Sequence, residues 1–375
     1  MKILITYAYA GIGHKKAAEA VRTALSELGT EFRIVDVLDY TNRLFRFSYP
    51  RIYLFLINRT PAFWGLFYYF LDLAIVDLFL SPIRRFLHNI NSKKFVRFVV
   101  EERPDIVIST HFLPSELIGG LKRKGIFKGR LITVVTDLLP HSFWMAHEAD
   151  YFIAAIERTK KELVRRGIKE EKIKVFGIPC SPLFSISKGR QKLMAELNLE
   201  EGFFNLLIMG GGFGTGPIRK IVQSICSSES IVRDKVQVIV ICGKNKKLSE
   251  TLNKLKQDLK ARLCIFGYMD NIDEFMEVSS CIITKSGGLT ISEALSKRVP
   301  MIIIQPIPGQ ETRNCRILTD YGVALRANNV KDVKKHVTDF INLPERIMGM
   351  KVRINLLSYP NAAKDIAMFA LTYGN

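Results

Sequence analysis

Three residues that follow apolar or glycine-rich runs carry side chains suited to group transfer. His14 comes directly after a glycine loop at the start of an amphipathic run, where it can act as a base or contact a phosphate. A surface histidine at a helix start would give the same pattern, and the positive end of that helix would keep the ring neutral. Asp137 follows a buried β-branched run. Glu293 lies one turn into a predicted helix, where its carboxylate can bind ribose hydroxyls.

A glycine turn at residues 286–288 separates a buried strand pattern from the helix that carries Glu293. The spacing predicts that this helix begins at Thr290. Glycines let backbone N–H groups approach a ligand, and the positive end of a helix favours an anion such as a diphosphate. A lone glycine pair is more often an ordinary turn. A second polar loop, at residues 306–311, follows the next strand and favours a binding site.

The elements that must position these residues alternate between strand and helix along the whole chain. The pattern predicts strand, glycine loop, helix and strand over residues 2–37, and a second strand-then-glycine unit from residue 204. Open α/β sheets bind ligands at their strand ends, in the cleft between two such domains. A proline-rich turn at 177–182 marks the boundary. We therefore predict an α/β protein with two doubly wound domains, residues 1–180 and 181–375, and a last helix able to cross back to the first domain.

Composition excludes several classes of protein. The chain has 375 residues of which 48% are hydrophobic, which is ample for two cores. Its six cysteines show no CxxC pair, so we expect reduced core residues in a cytosolic protein and neither a disulfide framework nor a zinc site. No secretory signal pattern is present at the first strand. The net charge of +19 is spread over both halves, which favours an anionic ligand or surface over nucleic acid.

The first glycine loop leaves a nucleotide-dependent dehydrogenase open as an alternative. Asp36 ends the second predicted strand, where an acid that binds the ribose of NAD would lie. The dinucleotide fingerprint is incomplete, however, because Lys16 occupies its third glycine position. A melting temperature that does not rise with NAD would count against this alternative.

Residues 43–97 differ from the rest of the chain. They are dense in aromatic side chains and hold nine basic residues against two acidic ones. Phe63, Phe67 and Phe70 keep helical spacing, but Trp64 and Tyr68 make the opposite face apolar too, so the segment must be buried or touch lipid. The run at 62–80 contains two aspartates, so we do not expect it to span a membrane. Interleaved basic and aromatic residues favour docking on an anionic membrane.

Several motifs together resemble one enzyme family. The chain is similar to the monogalactosyldiacylglycerol synthases and bacterial processive diacylglycerol glucosyltransferases, members of glycosyltransferase family 28 related to the peptidoglycan enzyme MurG. The motifs are AGIGHKKAAEA, TDLLPHSFW followed by DYFIA, FGIP, VICGKN, FGYMDNIDEFM, TKSGGLTISEA and PIPGQETRN. The last two, at this spacing, are fairly specific, and TDxxxHxxW separates the lipid-acceptor branch from MurG.

The resemblance implies a GT-B fold, with the nucleotide sugar on the second domain and the acceptor on the first. The implied donor contacts are Gly11 and Gly13, Gly210, Gly211 and Gly212, Lys244, the uracil loop Phe266, Gly267 and Tyr268, the diphosphate turn Ser286, Gly287, Gly288 and Thr290, the ribose ligand Glu293, the hexose ligands Gln310 and Glu311, and Asn314. His141 and Trp144 would lie on the acceptor side. An arginine usual in the family is replaced here by Ser181, so one diphosphate contact is either missing or supplied by Lys244 or Arg219.

The implied activity is an inverting transfer of a hexose from UDP-glucose or UDP-galactose to diacylglycerol or a glycosyl-diacylglycerol. His14 and Asp137 are the two candidates for the base. The sequence has no Asp-x-Asp pair, so we expect no metal or other cofactor, and helix N-termini with Lys or Arg to stabilise the leaving diphosphate. We expect a peripheral protein on the cytoplasmic face of the membrane. The alternatives are a MurG-like transferase with another lipid-linked acceptor and a non-catalytic nucleotide-binding protein.

Overall fold

A computed structural model describes residues 1–9, 11–212, 214–227, 234–259 and 261–372, which form two parallel sheets flanked by helices. The first sheet has the order β2-β1-β3-β4-β5-β6 and the strands β1 Ile3–Tyr7, β2 Phe32–Asp36, β3 Ile106–Ser109, β4 Arg130–Val134, β5 Tyr151–Ala154 and β6 Ile173–Val175. The second has the order β12-β11-β10-β7-β8-β9 and the strands β7 Phe204–Met209, β8 Val236–Ile241, β9 Arg262–Phe266, β10 Cys281–Thr284, β11 Met301–Ile304 and β12 Ala324–Ala327. This confirms the predicted class, two doubly wound Rossmann-like units in the GT-B arrangement.

The helices cover both faces of each sheet. Around the first sheet lie α1 Ile12–Glu27, α2 Arg43–Arg59, α3 Pro61–Leu71, α4 Ala74–Asn91, α5 Lys93–Glu102, α6 Phe112–Arg123 and α7 Glu157–Arg165. Around the second lie α8 Arg190–Glu196, α9 Ile218–Cys226, α10 Lys246–Asp258, α11 Ile272–Val278, α12 Gly288–Ser296, α13 Gln310–Asp320, α14 Val330–Asn342 and α15 Pro344–Ile354. The helix α16, Ala362–Thr372, follows them in the chain.

Continuous apolar runs form the central strands because helices cover both faces of a parallel sheet. Strands β3, β8, β10 and β11 are buried along their whole length. The predicted start of α12 at Thr290 was wrong by two residues: Gly287 is the extended residue before the helix, and Gly288 is already helical. The second glycine of the turn is thus part of the helix N-terminus, with its backbone directed at the strand ends.

The last helix returns to the first sheet. Helix α16 packs on α1, and its Ile366, Ala367 and Ala370 share a core cluster with Val21 and Ala24 of α1. The chain therefore passes between the two units twice. The two passages meet where a side chain added to Gly177 would overlap Tyr359.

Within the described ranges, no single helix is long and apolar enough to cross a membrane. One bent pair, Pro61–Leu71 and Ala74–Asn91, passes that test by length and composition, with an angle of 95° between its helices.

All six cysteines are free thiols. Five are buried and Cys264 is half-buried, which confirms the prediction that the cysteines lie mainly in the core.

Candidate active site

The loops after the strands of both sheets enclose a cleft of about 1300 Å³. Helices α1 and α12 direct their N-termini into it from opposite sides, so that Gly13 lies against Leu289. The glycine loop after β7 completes the wall, with Gly212 against Ile12. Two helix N-termini and a glycine loop surround the same space, an arrangement that favours an anionic group.

Asp137 lies in the cleft wall shortly after β4. Burial raises the pKa of Asp137 to about 6, although hydrogen bonds from the Trp144 and Asn314 side chains and the nearby charge of Arg313 act in the opposite direction. The carboxylate is ionised at neutral pH and has its orientation fixed by two donors. It is therefore suited to take a proton from an alcohol.

His14 lies in the first turn of α1, on the same side of the cleft. Its Nδ1 is 2.8 Å from the carbonyl oxygen of Thr110, and because a carbonyl only accepts, Nδ1 carries the proton and Nε2 is the free acceptor. Burial lowers the pKa of His14 to about 4, against a small raising effect of that hydrogen bond. The ring is therefore neutral, as the sequence suggested, but the cause is burial where we had invoked the helix N-terminus.

Glu293 lies on α12, in the opposite wall. Burial raises the pKa of Glu293 to about 8, the charge of Lys16 lowers it and that of Asp273 raises it. A carboxyl group held in such a wall can bind paired hydroxyls of a ligand. Lys16 comes from α1 of the other unit, so both units contribute to the electrostatics of this position.

The start of α13 places Gln310 and Glu311 in the cleft. The Gln310 side-chain amide donates to the hydroxyl of Tyr53 at 3.4 Å. Glu311 is 8% exposed and accepts a hydrogen bond from the Ile307 N–H at 2.8 Å. Burial raises the pKa of Glu311, and the charge of Lys285 lowers it.

Asn314, predicted as a donor contact, is 1% exposed and does not line the cleft. Its side-chain oxygen accepts from the Leu138 N–H at 3.0 Å, and its amide donates to the Ser286 carbonyl at 3.1 Å and to Asp137. Its amide oxygen and both of its amide N–H groups thus bind protein groups, two of them on the first unit. Asn314 positions the carboxylate of Asp137 and joins it to the turn before α12.

Four other predicted donor contacts also lie outside the cleft wall. Phe266 packs edge-on against Phe275 at 4.8 Å, and the carbonyl of Gly267 accepts from the Gly243 N–H at 3.2 Å. Lys244 lies over the ring of Tyr268 at 5.6 Å, and buried Ser286 donates to the Glu311 carbonyl at 2.7 Å. The residues of these loops that do face the cleft are Tyr268, Gly287, Gly288 and Thr290, together with Gly11, Gly13, Gly210, Gly211 and Gly212.

His141 and Trp144 line the acceptor side, but both hold the wall in place. The His141 Nε2–H donates to the Tyr68 carbonyl at 3.0 Å, and its Nδ1 accepts from the Phe143 N–H at 3.2 Å. Burial lowers the pKa of His141 to about 4, so the ring is neutral. Because both ring nitrogens are used, His141 fixes helix α3 against this loop, while Trp144 fixes Asp137.

Helix α3 closes the cleft from the side of the first sheet. Its Tyr68 is 5% exposed and packs on the backbone of Gly309, and Trp64 also lines the cleft. The opposite face of α3 is open, with Phe63 58% and Leu66 73% exposed. The sequence left burial and lipid contact open for this segment. In the structure Trp64 and Tyr68 face inward, whereas Phe63 and Leu66 face outward.

Asp72, at the end of α3, ties this helix to both units. It forms two hydrogen bonds of 2.9 Å with Arg166 and one of 2.5 Å with Arg313 of α13, and it accepts from the Ser142 N–H at 2.7 Å. These partners keep the pKa of Asp72 below its ordinary value despite its burial.

Comparison with known proteins gives the family. The model of monogalactosyldiacylglycerol (MGDG) synthase matches residues 14–180, and the glycosyltransferase family 28 C-terminal domain matches residues 205–341. The processive diacylglycerol beta-glucosyltransferase of Bacillus pumilus is 30% identical over 370 residues, covering 97% of this chain and 93% of the relative, and the protein of that name from Bacillus subtilis gives the same values. The chain belongs to the diacylglycerol glycosyltransferases of glycosyltransferase family 28.

Solved structures of low sequence identity share the fold of this family 28 protein. MurG from Acinetobacter baumannii superposes with a TM-score of 0.64 at 15% identity, covering 99% of both chains. The UDP-GlcNAc 2-epimerase of Neisseria meningitidis, solved with UDP-GlcNAc, superposes with a TM-score of 0.61 at 15% identity, covering 99% of this chain and 100% of the epimerase. Both likenesses identify the GT-B fold.

This family 28 chain departs from the motif pattern at Ser181, and the structure shows which cations are near. Ser181 lines the cleft, whereas the proposed substitutes Lys244 and Arg219 do not. Lys285, Lys16 and Arg22 line it instead. Sequence reasoning missed all three, although Lys285 directly precedes the glycine turn and Lys16 lies near the start of α1.

Proposed function

We propose that the protein is an inverting glycosyltransferase that moves a hexose from UDP-glucose or UDP-galactose to diacylglycerol or a glycosyl-diacylglycerol. One observation carries the proposal: the fixed, buried carboxylate of Asp137 faces, across a single cleft, the carboxyl groups of Glu293 and Glu311 on the other unit. One wall thus offers a base, and the other offers groups suited to a nucleotide sugar.

Inversion needs the base and the leaving group on opposite sides of the sugar. The acceptor oxygen forms a bond to the anomeric carbon while the bond from that carbon to the diphosphate oxygen breaks. The proton of the acceptor hydroxyl passes to the base, and UDP leaves with the bonding electron pair. The division of the site between two walls supports this geometry.

Asp137 is the better candidate for the base. Its pKa of about 6 is closer to neutral pH than the value of about 4 for His14, and a base is most effective when its pKa lies near the working pH. The Nε2 of His14 remains available to orient the acceptor hydroxyl. His14 is therefore proposed as a positioning group in the same step.

The negative charge of departing UDP falls between two helix N-termini and two lysines. The N–H groups at Gly287 and Gly288 begin α12, and Lys285 and Lys16 lie at the cleft. Such preorganised donors stabilise charge that develops in the transition state. We propose that they act without a metal ion or other cofactor.

The acceptor and location are proposed from the relatives and from one surface. The Bacillus relatives are named diacylglycerol glucosyltransferases, which favours UDP-glucose as the donor and diacylglycerol as the acceptor. Most of the exposed large apolar side chains among the described residues lie on α2, α3 and α4. This surface supports peripheral attachment to the membrane, and a nucleotide-sugar donor favours its cytoplasmic face.

The proposal is tested with purified protein, radiolabelled UDP-glucose or UDP-galactose, and vesicles that contain diacylglycerol, with and without EDTA. We expect labelled glycolipid from one of the two donors, at equal rates with and without EDTA, and a higher melting temperature with UDP but not with NAD. Absence of labelled lipid with both donors would refute the function, and loss of turnover in EDTA would refute the metal-free mechanism.

A further inference from the structure

One arm of the cleft is apolar and leads away from the nucleotide side. Helices α2, α3 and α4 contribute to its wall, which includes Phe45, Ile52, Leu56, Phe67 and Leu87. Of the described residues of these helices that line the cleft, none is a lysine, arginine, aspartate or glutamate. The segment that contains them carries nine basic residues, so all of these charges point elsewhere.

The inner end of this arm reaches the proposed reaction centre through a row of rings. The ring of His14 lies 4.5 Å from that of His111, which lies 6.5 Å from Tyr49, which stacks on Phe45 at 5.1 Å. His111 is 1% exposed, and burial holds its pKa well below the ordinary range, so the floor of the arm carries no charge. The arm is uncharged from His14 to its mouth.

The outer end opens on the exposed apolar face. Ile52 and Leu87 line the cleft and are 56% and 51% exposed, and Phe67 is 40% exposed. Beyond them lie wholly external apolar residues of α4, among them Ile75 at 66% and Leu78 at 69%. A hydrocarbon chain can therefore pass from a lipid surface to the floor of the arm without contacting a charged side chain.

We propose that this arm, defined by Phe45, Tyr49, Ile52, Leu56, Leu87 and Phe112, binds one acyl chain of the acceptor lipid. The inference rests on the proposed function and adds to it that the acceptor does not keep both acyl chains in the bilayer. One chain leaves the bilayer and lodges in the arm, which places the glycerol hydroxyl near His14 and Asp137. A sugar or a phosphate is a poor occupant, because the wall offers few polar partners and no cation.

Two substitutions that fill the arm test the proposal against matched controls. Ile52→Trp on α2 and Leu87→Trp on α4 place an indole in the arm, whereas Leu44→Trp on α2 and Ile75→Trp on α4 place it on exposed surface outside the cleft. The protein is assayed in mixed micelles with dioctanoyl-, dilauroyl- and dipalmitoylglycerol. We expect the ratio of kcat/KM for the longest over the shortest acceptor to fall at least tenfold in the two arm variants and to stay at the wild-type value in the controls. An unchanged ratio in the arm variants would overturn the proposal.

A second measurement does not depend on turnover. Wild-type protein is irradiated on vesicles that contain diacylglycerol with a diazirine at the end of one acyl chain, and the labelled peptides are identified. Labels on residues 45–56 and on Phe112 are expected if the chain enters the arm. Labels confined to the outer faces of α3 and α4 would overturn it. Labelling of the arm by a protein that transfers no hexose would refute the proposed function and leave the acyl site standing.

Discussion

Burial has moved the proton affinities of His14 and Asp137 in opposite directions. It disfavours the charged form of each group, so the pKa of the carboxyl rises to about 6 and that of the imidazole falls to about 4. At neutral pH the carboxylate is charged and held by two donors, and the ring is neutral and held by one acceptor. The two groups can therefore divide the work of accepting the proton and orienting the hydroxyl.

The first prediction separates these roles. Asp137→Asn should lower kcat about a hundredfold or more, because general-base catalysis contributes that much. The wild-type kcat/KM should fall as the pH drops below about 6, where Asp137 becomes protonated, and residual activity of Asp137→Asn should lack this dependence. His14→Ala should lose less activity and should retain this pH dependence. Steady-state kinetics from pH 5 to pH 8 measure all three. Near-full turnover in Asp137→Asn with loss in His14→Ala would exchange the roles.

The second prediction concerns Glu293 and the stability of the fold. The folded pKa of about 8 lies above the ordinary value of 4.5. Between these values the unfolded chain has released a proton that the folded chain keeps, so wild-type stability falls as the pH rises through this window. Glu293→Gln has no such group. Its melting temperature relative to wild type should therefore increase between pH 5 and pH 8, while exposed Glu250→Gln should give a constant difference.

The same position should matter for the donor. Removal of the carboxyl group would leave a ribose hydroxyl without its hydrogen-bond partner, which costs about 1 to 3 kcal/mol, so Glu293→Ala should raise KM for the nucleotide sugar by about fivefold or more. Normal donor affinity in a folded Glu293 variant would remove this residue from the ribose site.

Residue types and spacing located most of the candidate site but could not separate contact from support. Motif matching placed Asn314 and His141 beside ligands, yet both use their polar atoms on neighbouring backbone. Which hydrogen bonds a side chain makes depends on residues far away in the chain, such as Leu138 for Asn314. Lys285 could have been noticed from its place before the glycine turn, because a cation there lies at a strand end.

At the level of elements, alternating apolar runs and glycine turns predicted the strands and the order of the helices. They could not decide the orientation of α3, because both of its faces are apolar. Tertiary packing assigns the faces: Tyr68 packs against the backbone of Gly309, and Gly65 lets α3 approach Pro308 closely. Of the two explanations offered by the sequence, burial applies to the inner face of α3, and lipid contact stays a proposal for its exposed face.

The third prediction is that helices α2–α5 attach the protein to anionic membranes. Arg84 is unsuited to test this, because it is 16% exposed and paired with Asp77 and Glu116. Four exposed basic residues of α2 and α5 are suited to the test: Arg51, Arg59, Lys93 and Lys94. Serine at these four positions should weaken co-sedimentation with anionic vesicles, since each basic residue contributes about 1 kcal/mol, and the difference should shrink as salt screens the charges.

The matched control changes the same amount of charge on the second unit. Serine at Lys247, Lys254, Lys256 and Lys331, all exposed, should leave vesicle binding unchanged. An equal loss of vesicle binding in both quadruple variants would indicate that binding responds to net charge alone. Equal binding of wild type to neutral and anionic vesicles would place the attachment elsewhere.

At the scale of the whole molecule, the fourth prediction concerns the contact between the two segments of chain that connect the units. Gly177 has φ of +95°, and an added Cβ would overlap Tyr359. Gly177→Ala should therefore lower the free energy of unfolding by about 1 to 3 kcal/mol, the range typical of such backbone strain. Gly120→Ala is the control, since this helical glycine has open space around it and should gain up to about 1 kcal/mol. Denaturant titration measures both, and equal stability of Gly177→Ala and wild type would contradict the packing.

The return of α16 to the first sheet also sets an order of events during synthesis. The strands of the first sheet are complete at residue 175, but the core cluster around α1 needs residues 363–371. At ribosomal rates of about 5 to 20 residues per second, the nascent first unit waits roughly 10 to 40 s with the side of α1 that α16 later covers exposed. Over that interval this apolar surface is available to chaperones or to aggregation, and this core cluster is complete only when nearly all of the chain has been translated.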